Sequence, residues 1–207
     1  HALTDAQDQA VDAVRAALGV YRAFLLLGIT GSGKTEVYLH VCAAALARGR
    51  QVLVLVPEIN LTPRLAEEFA ARFAGARVVT LTSAVPDTER AKAWLAIQRG
   101  EADIVLGTRL AVFAPLPAPG IVIVDEEHDA SFKQQDGVRY SARDLAVFRA
   151  HAAGIPVVLG SATPSLESYQ HARTGRYALL ELPRRAREGA ALPAMRLVDL
   201  RTDVADD

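Results

Sequence analysis

Residues 28–35 read Gly-Ile-Thr-Gly-Ser-Gly-Lys-Thr, the spacing G-x-x-x-x-G-K-[ST], set between a short apolar run and a stretch of helical periodicity. Gly28, Gly31 and Gly33, with Thr30 and Ser32 between them, let the backbone curl so that its N–H groups converge on a phosphate. The start of the following helix adds partial positive charge. In that arrangement Lys34 reaches the β- and γ-phosphates of ATP and the Thr35 hydroxyl holds Mg²⁺. Further along, residues 121–124 are apolar and run straight into Asp125-Glu126-Glu127-His128. Carboxylates at the C-terminal end of a strand lie where open α/β sheets bind ligands. Asp125 is placed to hold the same Mg²⁺, and Glu126 to orient or deprotonate the attacking water. A third group, Gly160-Ser161-Ala162-Thr163-Pro164, follows another apolar run. Its hydroxyls, Ser161 and Thr163, are placed to hydrogen-bond the acidic cluster and pass nucleotide state to a second site, while Ser165 reads as a helix N-cap.

These groups need strands that end side by side, and the rest of the chain supplies them. Apolar runs at 23–27, 52–56, 78–81, 104–106, 121–124, 157–159 and 178–182 alternate with amphipathic stretches. The runs are apolar throughout rather than on alternate residues, as parallel strands covered on both faces require. The intervening helices carry proper punctuation. Residues 4–18 space Ala10, Val11, Val14 and Leu18 at helical intervals before Gly19; Thr62-Pro63 starts a helix with Leu65, Phe69 and Phe73 on one face; Ser141 and Asp144 start another that Gly154 ends. A further helix is expected over 88–98, with Trp94 packed on the sheet, and Cys42 reads as core. The expectation is an α/β fold with a mostly parallel, doubly wound sheet of about seven strands. Residues 1–182 form the lobe, and 183–207, where Arg184, Arg185 and Arg187 lead into Pro193 and the apolar 195–198, read as a linker and the start of a further unit.

Composition narrows the class. The 207 residues include 23 basic and 24 acidic side chains, a formal net charge of −1, so there is no wholesale basic coat for nucleic acid. With 51% hydrophobic and 23% charged residues the chain is ordinary globular material. A single cysteine excludes an internal disulfide and leaves no zinc-ligand spacing in this segment, which favours a reducing, cytoplasmic compartment. No apolar run approaches the ~18 residues of a membrane span, so no membrane partner is expected. The chain opens at His1 rather than at methionine, as expected of a piece of a longer protein. Only Lys34, Lys92 and Lys133 are lysines among the 23 basic residues, which draws attention to Lys34 and Lys133.

Gly-Lys-Thr, Asp-Glu-Glu-His and Ser-Ala-Thr in this order resemble the motifs of superfamily 2 helicases and translocases. The text between them sharpens the likeness: Val56-Pro57-Glu58-Ile59 with Leu61-Thr62-Pro63, Gly107-Thr108-Arg109, Lys133-Gln134-Gln135, and Arg139-Tyr140 with Ala142-Arg143-Asp144. Together they resemble the first, RecA-like P-loop NTPase lobe of the PriA family of bacterial primosomal replication-restart helicases. The resemblance implies an ATP- and Mg²⁺-dependent DNA helicase in the full-length protein, acting on single-stranded or forked DNA beside other primosome proteins and single-stranded DNA-binding protein. A second lobe would supply an arginine finger, so this lobe alone is expected to turn over slowly or not at all.

Gln7 either contacts adenine or completes a capping box with Thr4. Pro57, Glu58, Thr108 and Arg109 are implied to track a DNA backbone. Phe132, Lys133, Arg139 and Tyr140 lie in the loop that the resemblance implies couples DNA binding to hydrolysis; Phe132 and Tyr140 either stack on bases or anchor that loop. At Thr82, Ala84 and Leu110 the chain departs from the family's residues. Those departures motivate a second reading, a degenerate lobe that docks DNA or protein without turnover. A small-molecule kinase, a third reading, does not account for Asp-Glu-Glu-His and Ser-Ala-Thr together.

Overall fold

The computed structural model describes residues 3–61 and 63–185. The chain runs through α1 (Asp5–Ala16), β1 (Ala23–Gly28), α2 (Lys34–Leu46), β2 (Gln51–Leu55), α3 (Pro63–Arg72), β3 (Val78–Leu81), α4 (Asp87–Gln98), β4 (Ile104–Gly107) and β5 (Pro119–Asp125). It continues through β6 (Lys133–Gln134), β7 (Tyr140–Ser141), α5 (Ala142–Ala153), β8 (Val157–Ser161), α6 (Leu166–Arg173) and β9 (Ala178–Leu182). Seven strands form one sheet in the order β3-β4-β2-β5-β8-β1-β9, and every pairing in it is parallel. The expected α/β architecture is therefore the observed one.

Side chains successive along a strand serve opposite faces, which is why the runs are apolar throughout. Phe24 and Leu26 pack with α1, α2 and Phe69 of α3, whereas Ala23 and Leu25 pack with Ile97 of α4, the 109–113 turn and α5. Trp94 joins the second cluster, and buried Cys42 belongs to the first. Helix starts follow the local chemistry. Thr4 and Gln7 form a capping box on α1, Ser141 accepts from the Asp144 amide at the start of α5, and Ser165 from the Ser168 amide at the start of α6.

Two differences from the sequence reading matter for function. The strands run further: Asp125 closes β5, and Gly160 and Ser161 belong to β8 rather than to the loop after it. Three short 3₁₀ turns (Glu58–Asn60, Arg109–Phe113, Ala130–Phe132) and the antiparallel β6–β7 pair occupy stretches with no periodic pattern. Thr62 and most of the 183–207 segment, including its 195–198 run, lie outside the described residues. Among the described residues no helix is long and apolar enough to cross a membrane.

Candidate active site and nucleic-acid interface

Strand order brings the three motifs together. β8 lies between β1 and β5, with Leu27 beside Ser161 and Asp125 beside Gly160, so the phosphate loop and the acidic cluster flank Ser161 along one edge. In the loop, Gly31 and Gly33 have φ of 80° and 81°, a region that side chains strain to occupy. A side chain at residue 28 would crowd the loop, because a Cβ there would meet Ser32 Oγ at 2.4 Å and force it aside. Ser32 Oγ is buried with no hydrogen-bond partner, and Gly33 caps α2 without a side-chain bond. Both leave hydrogen-bonding capacity for a ligand. Lys34 Nζ donates to the Gly28 carbonyl at 3.1 Å and lies 3.4 Å from Glu126 Oε1. Its ammonium thus sits on substitute oxygens where phosphate oxygens would come, and the cradle fits a nucleoside triphosphate.

Each residue of the acidic cluster has a different fate. Asp125 Oδ1 accepts a 2.8 Å hydrogen bond from the Tyr38 hydroxyl, and burial pushes its carboxyl above the usual carboxylate range despite that bond. Burial, and then the carboxylate beside it, hold the Tyr38 phenol well above its ordinary pKa, so it stays a donor. Asp125 shares with Thr35 the lining of a cavity of about 260 Å³. Among the described residues no three His, Cys, Asp or Glu side chains cluster to hold a metal. A Mg²⁺ ion here would take Thr35 and Asp125 and complete its shell from phosphate and water, as that ion commonly does. Glu126 is the one non-glycine residue with positive φ (46°) among the described residues, a strained turn that swings its side chain to Lys34 and to within 3.7 Å of His128 Nδ1.

Glu127 turns inward and is 2% exposed. Its carboxylate accepts from the Ser165 amide (2.7 Å) and hydroxyl, from the Ser168 hydroxyl (2.8 Å) and from Arg143 (3.2 Å). A buried carboxylate is tolerable only with such a set of donors. His128 Nδ1 lies 2.8 Å from Ser161 Oγ and its Nε2 3.3 Å from Thr163 Oγ1. The Ser161 and Thr163 hydroxyls thus reach the cluster through its histidine. Reading the sequence assigned no role to Tyr38, Glu127, His128 or Arg143; Glu127 and His128 lay within the acidic motif, Arg143 within a matching segment, and Tyr38 a turn after Lys34 on the same helix face.

The DEAD/DEAH box helicase family matches residues 4–172. The chain belongs to that family. It is 44% identical to the replication restart protein PriA of Bacillus subtilis over 204 residues, covering 98% of this chain and 25% of that protein. To the PriA of Synechocystis it is 47% identical over 207 residues, covering 98% and 24%. The chain therefore spans about a quarter of the length of these relatives. A structure of RecG bound to a three-way DNA junction superposes with a TM-score of 0.65 at 23% identity, covering 91% of this chain and 25% of that one. One of the DEAD-box helicase Mss116 bound to ssRNA and UDP-BeF gives 0.59 at 16%, covering 87% and 40%. At those identities the likeness establishes the fold. The lobe is thus a DEAD/DEAH box helicase lobe, with the α/β fold of these helicase structures.

In this lobe, Gln7 uses both ends of its amide inside the chain: Oε1 accepts from the Thr4 amide and Nε2 donates to the Ser32 carbonyl at 2.9 Å. The capping box forms, and the same side chain ties α1 to the phosphate loop. On the face expected to meet DNA, Phe132 is 1% exposed in the second core cluster, which corrects the base-stacking reading in favour of the anchoring one. Tyr140 is half-buried, its ring edge-on to Phe113 with centroids 5.0 Å apart. Thr108 is 2% exposed and Pro57 is buried, so neither offers the surface contact expected of it. Arg109 is half-buried and donates to the Ser131 and Lys133 carbonyls, at 3.0 and 3.3 Å. Lys133, Arg139 and Glu58 are exposed. Thr82 Oγ1 accepts from the Ala84 amide, and Ser83 donates to Glu58, so the departing segment closes its own turn against the 58–60 turn.

Proposed function

We propose that the lobe binds ATP with Mg²⁺ at the edge of β1, β8 and β5 and, in the full-length protein, drives a DNA helicase or translocase on single-stranded or forked DNA during replication restart. Primosome proteins and single-stranded DNA-binding protein are the proposed partners, in the cytoplasm. The observation that carries the reading is the 3.4 Å approach of Lys34 Nζ to a strained Glu126, beside a phosphate cradle whose Ser32 hydroxyl has no partner. Lys34 would exchange the Gly28 carbonyl for the β/γ-phosphates. Glu126, released from the ammonium, would orient the attacking water and take its proton. Mg²⁺ held by Thr35 and Asp125 would neutralise charge developing on the phosphates. His128, bonded to Ser161 and Thr163 and 3.7 Å from Glu126, would relay the state of that carboxylate to β8 and the segment after it.

The test is Lys34→Ala in the full-length protein, with ATP turnover measured on forked DNA. Turnover is expected to fall about a hundredfold or more while DNA binding persists. A wild-type protein that binds forked DNA but shows no DNA-stimulated turnover would overturn the motor reading in favour of a docking scaffold.

A further inference from the structure

The Tyr38 ring crosses from α2 to β5 over a strand that belongs to neither. Its hydroxyl meets Asp125 Oδ1 at 2.8 Å, and Gly160 of β8, the register partner of Asp125, lies beneath it. A Cβ on Gly160 would sit 1.6 Å from the Tyr38 hydroxyl and 2.9 Å from Cζ, so the bond to Asp125 exists because residue 160 has no side chain. α2 also carries Lys34 and Thr35 at its start, and Tyr38 follows one turn later. A rigid first turn therefore delivers the phosphate-binding ammonium, a metal-binding hydroxyl and a clamp on the second metal ligand from a single element. Tyr38 is buried, and Asp125 and Thr35 line the same cavity with it.

We propose that Tyr38 is a positioning residue for Mg²⁺: it fixes the Asp125 carboxylate by one oxygen and leaves the other for the ion that Thr35 shares, and Gly160 is the gap through which it reaches. The inference rests on the nucleotide reading of the edge and adds to it which residues set affinity for the metal. A hydroxyl that holds a metal-binding carboxylate restricts its rotation and so sets how well the site is preorganised. Removing the hydroxyl leaves the phosphate cradle in place, because the Lys34 ammonium rests on the Gly28 carbonyl and Glu126 while the Tyr38 hydroxyl bonds Asp125.

The experiment measures binding of a fluorescent, non-hydrolysable ATP analogue to the full-length protein, first in EDTA and then across a Mg²⁺ titration. For Tyr38→Phe, affinity in EDTA is expected within about twofold of wild type, while the Mg²⁺ concentration for half-maximal enhancement rises about tenfold. Gly160→Ala, which pushes the hydroxyl away, should shift the titration in the same direction. The Tyr38→Phe/Gly160→Ala double variant should be no worse than Gly160→Ala, since two routes to one lost bond do not add. Tyr38→Phe titrating like a Mg²⁺-responsive wild type overturns this proposal alone, as does an equal loss in EDTA and in Mg²⁺. A wild type whose analogue binding ignores Mg²⁺ removes the nucleotide reading, and this proposal with it.

Discussion

At the phosphate loop, Ser32 Oγ has no partner, Lys34 rests on a carbonyl and a carboxylate, and Glu126 holds a strained φ of 46°. Some distance along the same sheet edge, the loop that follows the acidic cluster shows the opposite arrangement. Asp129 caps the 130–132 turn, Phe132 is sunk in the core, and Arg109 is bonded to the Ser131 and Lys133 carbonyls. The first region keeps hydrogen-bonding capacity and strain in reserve, as a site preorganised for a ligand must. The second has committed most of its chemistry to holding its own shape, leaving Lys133 and Arg139 at the surface. The lobe thus separates a region that keeps unused hydrogen-bonding capacity from one that fixes its own shape.

The comparison breaks first, and most visibly, at Phe132. If the ring anchors the loop, Phe132→Ala should destabilise the lobe by about 3–5 kcal/mol, the range for large-to-small changes in cores. Chemical denaturation of the full-length variant reads this directly. A variant as stable as wild type that has lost affinity for single-stranded DNA would return Phe132 to the stacking role and dissolve the contrast.

Arg109 tests the same contrast at smaller amplitude. Its guanidinium is both latch and proposed phosphate contact, so the two roles can be separated by charge. Arg109→Gln should weaken DNA binding similarly across sequences and lower the dependence of log affinity on log salt by about one. Arg109→Lys keeps the charge and should leave that slope unchanged. Fluorescence anisotropy on several unrelated oligonucleotides at three salt concentrations measures both; sequence-selective loss would rule out a phosphate contact.

How much of this could be read in advance follows from what each feature depends on. The strands, the glycine-rich loop and the capping box of Thr4 and Gln7 are set by neighbours within a few residues, and the sequence shows them. The end of β5 could be placed to within one residue, because Asp125, which closes the strand, breaks an apolar run. Roles for Asp125 and Glu126 could be assigned from their order after the strand, but the fate of Glu127 could not, because the turn at Glu126 sends it inward. The donors of Glu127, which are Arg143, Ser165 and Ser168, lie 16 to 41 residues away. Tyr38 and Asp125 are 87 residues apart, and their contact depends on an absent side chain at Gly160. Thr108 and Phe132 carry the residue types of a binding surface, and only the tertiary packing turns them inward.

The smallest effect concerns Asp129, whose carboxylate accepts from the Ser131 amide at 2.8 Å and caps the turn that seats Phe132. Hydrogen bonds from the Ser131 hydroxyl and then its amide hold the Asp129 carboxyl below its ordinary range. A carboxyl with a depressed folded-state pKa adds stability above its unfolded pKa and loses that contribution as pH falls through the folded value. Asn caps as well as Asp but does not titrate, so Asp129→Asn should change stability at neutral pH by no more than about 0.5 kcal/mol. The gap between the two proteins should then shift in favour of the variant as pH falls through about 3.9 and below. Denaturation midpoints for the pair across that range decide it: parallel curves would mean that Asp129 is not held by Ser131, and that the loop owes its shape to Phe132 and Arg109 alone.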